Sequence, residues 1–116
     1  MPRRDHQQRH LVPYLAPGNG STQTNEISVR VPRAGVLRNL YLQQRVASGA
    51  GGRTDSYTVR VNGADKTITC TLDNSTTGED TTHAVSVAQG DAVSIKLVSN
   101  DAADASEDVN ATLVVV

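Results

Sequence analysis

Between Ser56 and Leu72 the chain reads SYTVRVNGADKTITCTL, and no other stretch restricts the fold so strongly. Tyr57, Val59 and Val61 alternate with Ser56, Thr58 and Arg60. After Asn62-Gly63, Ile68, Cys70 and Leu72 alternate with Thr67, Thr69 and Thr71. Period-two alternation puts each set on one face of a strand, and Asn-Gly accepts the positive φ angles of a tight hairpin turn. Ala64 and Asp65 leave the length of the turn open. A hairpin with one apolar face and one lined by Thr, Ser and Arg needs a second sheet over its apolar face.

Further strand signals follow on both sides. Ile27, Val29 and Val31 alternate with Glu26, Ser28 and Arg30, bounded by Pro32 and Gly35. From Val36 to Val46 the apolar residues Leu37, Leu40, Tyr41 and Leu42 break strict alternation, which gives a long strand with a helix as the alternative. His83, Val85 and Val87 lead through Gln89-Gly90-Asp91 into Val93, Ile95 and Leu97, a second hairpin; Val109, Ala111, Leu113 and Val115 form a closing strand. Ser48 to Asp55, Asp73 to Thr82 and Ser99 to Asp108 are polar loops. Short strands, regular turns and no convincing helix predict an all-β antiparallel sandwich or barrel of about seven to eight strands.

Residues 1–24 differ in kind. Arg3, Arg4 and Arg9 lie among Gln, His and Pro, an apolar island of Leu11, Val12, Tyr14 and Leu15 follows, and Gly, Ser, Thr and Asn fill the rest. This predicts an extended N-terminal arm, with the folded domain in residues 25–116. The 116 residues suffice for one modest core. With three Tyr and neither Phe nor Trp, that core rests on Val, Leu, Ile and Ala, and self-association would offset the lack of large anchors.

Charge and cysteine exclude several classes. A formal net charge of −1 removes the simplest case for nucleic acid or membrane as partner. Residues 1–72 nevertheless carry ten Lys and Arg against four acids, and residues 73–116 carry Lys96 against eight acids, a polarity suited to head-to-tail contacts. The single cysteine, Cys70, excludes an internal disulfide and reads as a small buried hydrophobe. No window approaches a membrane span and no secretory signal is visible, so synthesis in the cytoplasm and a soluble product are expected.

Chemistry is sparse. His6 and His10 lie in the arm, and His83 opens a strand with no glycine-flanked serine nearby, so no triad is indicated. Asp101, Asp104, Glu107 and Asp108 lack the spacing of a calcium loop and read as a solvated surface. Arg30, Arg38, Arg45, Arg53 and Arg60 could be assembled into a basic stripe, but the aromatic platform of a single-strand binder is missing apart from Tyr41 and Tyr57, and Tyr57 is better placed inside. Asn19, Asn74 and Asn110 begin glycosylation patterns that read as chance matches in a chain rich in Asn, Ser and Thr. The expectation is therefore no catalytic residue, no metal, no cofactor and no enzyme activity.

The segments VPRAGVLRNLYLQQ, SYTVRVNG, TITCTL and VSVAQGDAVSIKLV, with their Pro-x-Ala-Gly, Arg-Val-Asn-Gly and Ala-x-Gly-Asp turns, resemble a small trimeric jelly-roll family over about residues 26–116. That family includes the C1q/TNF-like C-terminal domains of bacterial spore-surface filaments and proteins on tailed-phage heads. The resemblance implies a homotrimeric jelly roll. A short basic arm in place of a collagen-like stalk moves the expectation to a decoration, or cement, protein of the bacteriophage virion, bound to the major capsid protein on the outer capsid surface. Arg3, Arg4 and Arg9 would then meet capsid carboxylates, and Leu11, Val12, Tyr14 and Leu15 would make apolar contacts. The alternative is a receptor- or glycan-binding jelly-roll module that uses the loops 48–55, 73–82 and 99–108.

Overall fold

Eight strands run through the described residues: β1 (His10–Ala16), β2 (Val29–Arg30), β3 (Gly35–Val46), β4 (Thr54–Val61), β5 (Ala64–Asp73), β6 (Thr77–Val87), β7 (Ala92–Ser99) and β8 (Glu107–Val115). The computed structural model describes residues 10–16, 28–47, 49, 51–100 and 107–116. Two four-stranded antiparallel sheets form, ordered β1-β8-β3-β6 and β2-β7-β4-β5. Successive strands cross between the sheets except at the β4-β5 hairpin, so the chain winds as a jelly-roll sandwich. In the first sheet, strands from the basic half of the chain alternate with strands from the acidic half. The charge polarity of the linear sequence is thereby interleaved.

The hairpin is the tightest that the sequence allowed. Val61 pairs directly with Ala64, leaving Asn62 (φ 53°) and Gly63 (φ 84°) as a two-residue turn, the geometry whose twist matches the flanking strands. Asn62 also ties this turn to the β6–β7 turn: its amide donates to Asp91 Oδ1 at 3.1 Å and its carbonyl oxygen accepts from the Ala92 N–H at 3.0 Å. Tyr57, Val59, Ile68 and Leu72 from this hairpin are buried against Leu37, Leu40, Leu42, Ala111 and Leu113 of the other sheet.

The irregular alternation of residues 36–46 has a local cause. Asn39 adopts a positive φ of 59°, and the β3–β6 register shifts between Arg38 and Leu40. A bulge resets the phase of the strand, so Leu37, Leu40, Leu42 and Gln44 all point inward. No helix forms. Gln44 Nε2 donates to Asp55 Oδ2 at 2.9 Å and to the Tyr57 hydroxyl at 2.6 Å, a buried polar tie between β3 and β4.

Two sequence expectations need correction. Thr77 to Thr82 is strand, not loop, and only residues 74–76 separate β5 from β6. The inward positions of that stretch are Gly78 and Asp80, opposite Leu42 and Leu40, so no apolar alternation marks it. Likewise the proposed arm contains β1, joined to β8 by seven register pairs from His10↔Val115 to Ala16↔Val109. Leu11, Val12, Tyr14 and Leu15 thus belong to an edge strand of this chain's own sheet. Arg3, Arg4 and Arg9, residues 17–24 and the acids Asp101 and Asp104 lie outside the described residues.

Gly78 is required by close approach. A Cβ added there would lie 2.8 Å from Cys70 Sγ and would overlap Leu72 Cδ2. Cys70, half-buried, is packing material here, and burial pushes its thiol pKa up. Gly78→Ala is expected to cost about 2 kcal/mol through overpacking, measured as a lower urea midpoint.

Candidate functional site

The outer faces of the two sheets differ in how their polar groups are used. On β4, β5 and β7 several of them satisfy one another. Ser56 Oγ meets Thr71 Oγ1 at 3.0 Å, Thr69 Oγ1 donates to the Tyr57 carbonyl at 2.9 Å, and Arg60 and Lys96 both pair with Asp65, at 2.9 and 2.6 Å. These bonds hold the Asp65 carboxyl below its usual range, chiefly through Lys96.

The outer face of β6, β3 and β8 is different. Here a concavity of about 380 Å³ opens to solvent, lined by Tyr41, Gln43, Thr77, Glu79, Asn110 and Thr112 over a floor that includes Gly78 and Leu42. The strand register builds it as two rows. Glu79, Tyr41 and Thr112 are direct cross-strand neighbours, and Thr77, Gln43 and Asn110 form the next row. Cross-strand partners share a face with Cβ atoms about 5 Å apart, so six side chains converge on one trough. Tyr41 is the largest of them and is 49 % exposed, although Leu40 and Leu42 on either side of it are buried.

Among the described residues, the side chains of Gln43, Thr77, Glu79, Asn110 and Thr112 have no hydrogen-bond or ion-pair partner in the protein. Two amides, two hydroxyls and a carboxylate therefore surround an exposed aromatic ring with their bonding capacity unspent. Buried polar groups must be paired, but exposed ones need not be. Their concentration around an exposed ring is what marks a site.

Beside the trough, Asp80 holds the two sheets together. Its inward carboxylate accepts from the Thr69 N–H of β5 at 3.0 Å, from the Thr82 and His83 N–H groups at 3.0 and 3.2 Å, and bonds to His83 Nδ1 at 2.8 Å. Thr81 to His83 bulge out opposite Asn39, and residues 66–68 bulge out of β5. The carboxylate thus binds amides next to both irregularities. Burial alone would raise its pKa, but the hydrogen bonds outweigh burial and hold it well below the ordinary carboxylate range. With Asp80 committed to backbone and the His83 side chain 52 % exposed, this pair is a structural clasp.

Sequence reasoning placed binding in loops and arm and assigned binding to none of the trough residues; Asn110 was named only as a chance glycosylation match. Only Thr77, Gly78 and Glu79 fall inside one of its segments, 73–82, and they act from a strand. The arginine stripe does not assemble, because Arg30 and Arg60 sit in one sheet and Arg38 and Arg45 in the other. Among the described residues no cluster of three or more metal-ligating side chains occurs.

The fold and the trough define a jelly-roll module with an open, amphipathic face. No family model matches the chain, nor does any curated protein. Among solved structures it is similar to a family 35 carbohydrate binding module from Clostridium thermocellum, with 14% identity and a TM-score of 0.48 over 93% of this chain and 92% of that one. It is also similar to a Paenibacillus sp. cycloisomaltooligosaccharide glucanotransferase complexed with cycloisomaltoheptaose, with 20% identity and a TM-score of 0.43 over 93% of this chain but only 18% of that one. At these values neither likeness bears on the ligand of this chain.

Proposed function

We propose that the protein is a glycan-binding jelly-roll module whose ligand lies in the trough on β6, β3 and β8. One observation carries this reading: an exposed Tyr41 ringed by polar side chains that bond to nothing else in the described protein. A sugar ring has an apolar face that stacks on an aromatic and a rim of hydroxyls that both donate and accept. Gln43 and Asn110 offer both functions, as do the hydroxyls of Thr77 and Thr112. Strands lie about 4.8 Å apart, so the trough spans roughly 10 Å and suits a short stretch of chain crossing the strands. Titrating a panel of soluble oligosaccharides by calorimetry tests the proposal; heats of binding that vanish in Tyr41→Ala support it, and no binding by the intact chain overturns it.

Head decoration is the second reading, favoured by one feature of the sequence: Arg3, Arg4 and Arg9 cluster in the nine residues that precede β1. As a decoration protein the chain would form a homotrimer on the outer capsid surface and engage the major capsid protein through these arginines. Because β1 pairs with β8, removing residues 2–24 would strip an edge strand as well as the arm. Removing residues 2–9 leaves the His10–Ala16 strand in the chain and is expected to abolish co-sedimentation with undecorated heads, with circular dichroism used to confirm that the truncated protein is folded. Retained co-sedimentation would exclude this role for the arginines.

A further inference from the structure

Among the described residues, Glu79 is the one charged side chain lining the trough, and its surroundings point to the chemistry of the ligand. Asp65 is held by Lys96 and Arg60, Asp80 by His83 and backbone amides, and Asp91 by the Ala88 N–H and Asn62. Glu79 has no such partner among the described residues. It stands directly opposite Tyr41 in the register, so its carboxylate borders any ring stacked on that tyrosine. The cations nearest in sequence on β3 are outside the lining. Arg38 lies across the Asn39 bulge, and Arg45 already has a partner.

A ring covering Tyr41 takes water away from this carboxylate. A neutral ligand leaves the charge to be satisfied by hydroxyls alone, and a carboxylate-bearing sugar sets like charges side by side. An ammonium group supplies a charge-assisted hydrogen bond at that edge. Resting on the glycan-binding reading, we infer that the trough selects an amino sugar with a free, protonated amine, the class of a glucosamine-containing glycan, and that Glu79 receives the amine. Tyr41 supplies the stacking surface, Thr112 borders the opposite edge of the ring, and Gln43 and Asn110 bind the hydroxyls of the adjoining unit.

The test uses the full chain and four tetrasaccharides, of glucosamine, N-acetylglucosamine, glucose and galacturonic acid, titrated at about pH 5.5, where the amino-sugar amine carries its proton. The glucosamine tetramer is expected to bind about tenfold more tightly than the glucose tetramer, with the galacturonic acid tetramer weakest. That preference should shrink as salt is raised. In Glu79→Gln the advantage of the amine over the neutral sugar should disappear, and in Glu79→Lys the uronate should overtake the amine; circular dichroism confirms that each variant is folded. Equal affinity for glucosamine and glucose, or a preference that survives in Glu79→Gln, overturns the amino-sugar inference while leaving glycan binding in place. Absence of binding to all four overturns both.

Discussion

Replacing Asp80 with alanine is expected to lower the stability of the protein by about 3 kcal/mol, seen as a fall in the urea midpoint at constant slope. The cause is an acceptor lost from the interior. Three backbone N–H groups, of Thr69, Thr82 and His83, converge on one carboxylate, and alanine leaves them facing a space that it cannot satisfy. All three bonds are only partly buried, which limits the loss. Removing His83 instead takes away one partner at a half-exposed side chain and should cost under about 1 kcal/mol. The pH dependence follows from the direction of the shift. Since the folded carboxyl titrates below its ordinary value, the unfolded chain takes up a proton first as pH falls. The stabilisation is thus complete above about pH 4 and is lost progressively below it. Asp80→Asn, which retains one accepting oxygen and cannot titrate, should show a shallower acid decline.

Tyr41→Ala acts on binding rather than folding. The ring points away from the core and is half exposed, so truncation removes little that the fold depends on. Covering that ring with a sugar is worth about 2 kcal/mol in apolar burial and stacking, and its loss should weaken binding roughly thirtyfold. Tyr41→Phe retains the stacking surface and should lose much less. The chain has no tryptophan, which makes tyrosine fluorescence a direct reporter. Tyr57 is fully buried, so a saturable change on adding sugar that disappears in Tyr41→Phe would assign the signal to the trough. A Tyr41→Ala protein that binds as tightly as the intact chain would remove the ring from the site.

The strands that announced themselves were those with at least three successive apolar inward positions. Tyr57, Val59 and Val61, Val93, Ile95 and Leu97, and Val109, Ala111, Leu113 and Val115 alternate cleanly and are buried as the alternation requires. The first half of β6 stayed hidden for the opposite reason. Its inward positions hold a glycine, whose space Cys70 and Leu72 fill, and an aspartate whose charge is neutralised by distant amides. Neither produces a hydrophobic signal. In β3 a single Asn at positive φ shifted the phase of alternation, and β1, interrupted by Pro13 and set in a polar stretch, shows as a strand only through its pairing with β8.

The amino-acid sequence by itself determined an all-β antiparallel fold, sandwich or barrel, the Asn62-Gly63 turn and most of the core, because periodicity and turn chemistry are local and act within a few residues. The trough was decided by tertiary structure alone. Tyr41 and Gln43, Thr77 and Glu79, and Asn110 and Thr112 come from three strands far apart in the chain, and only the order β8-β3-β6 sets them in rows. Which polar side chains remain free to bind is equally a tertiary property, since a hydroxyl or carboxylate is spent or unspent according to the neighbour that the register gives it.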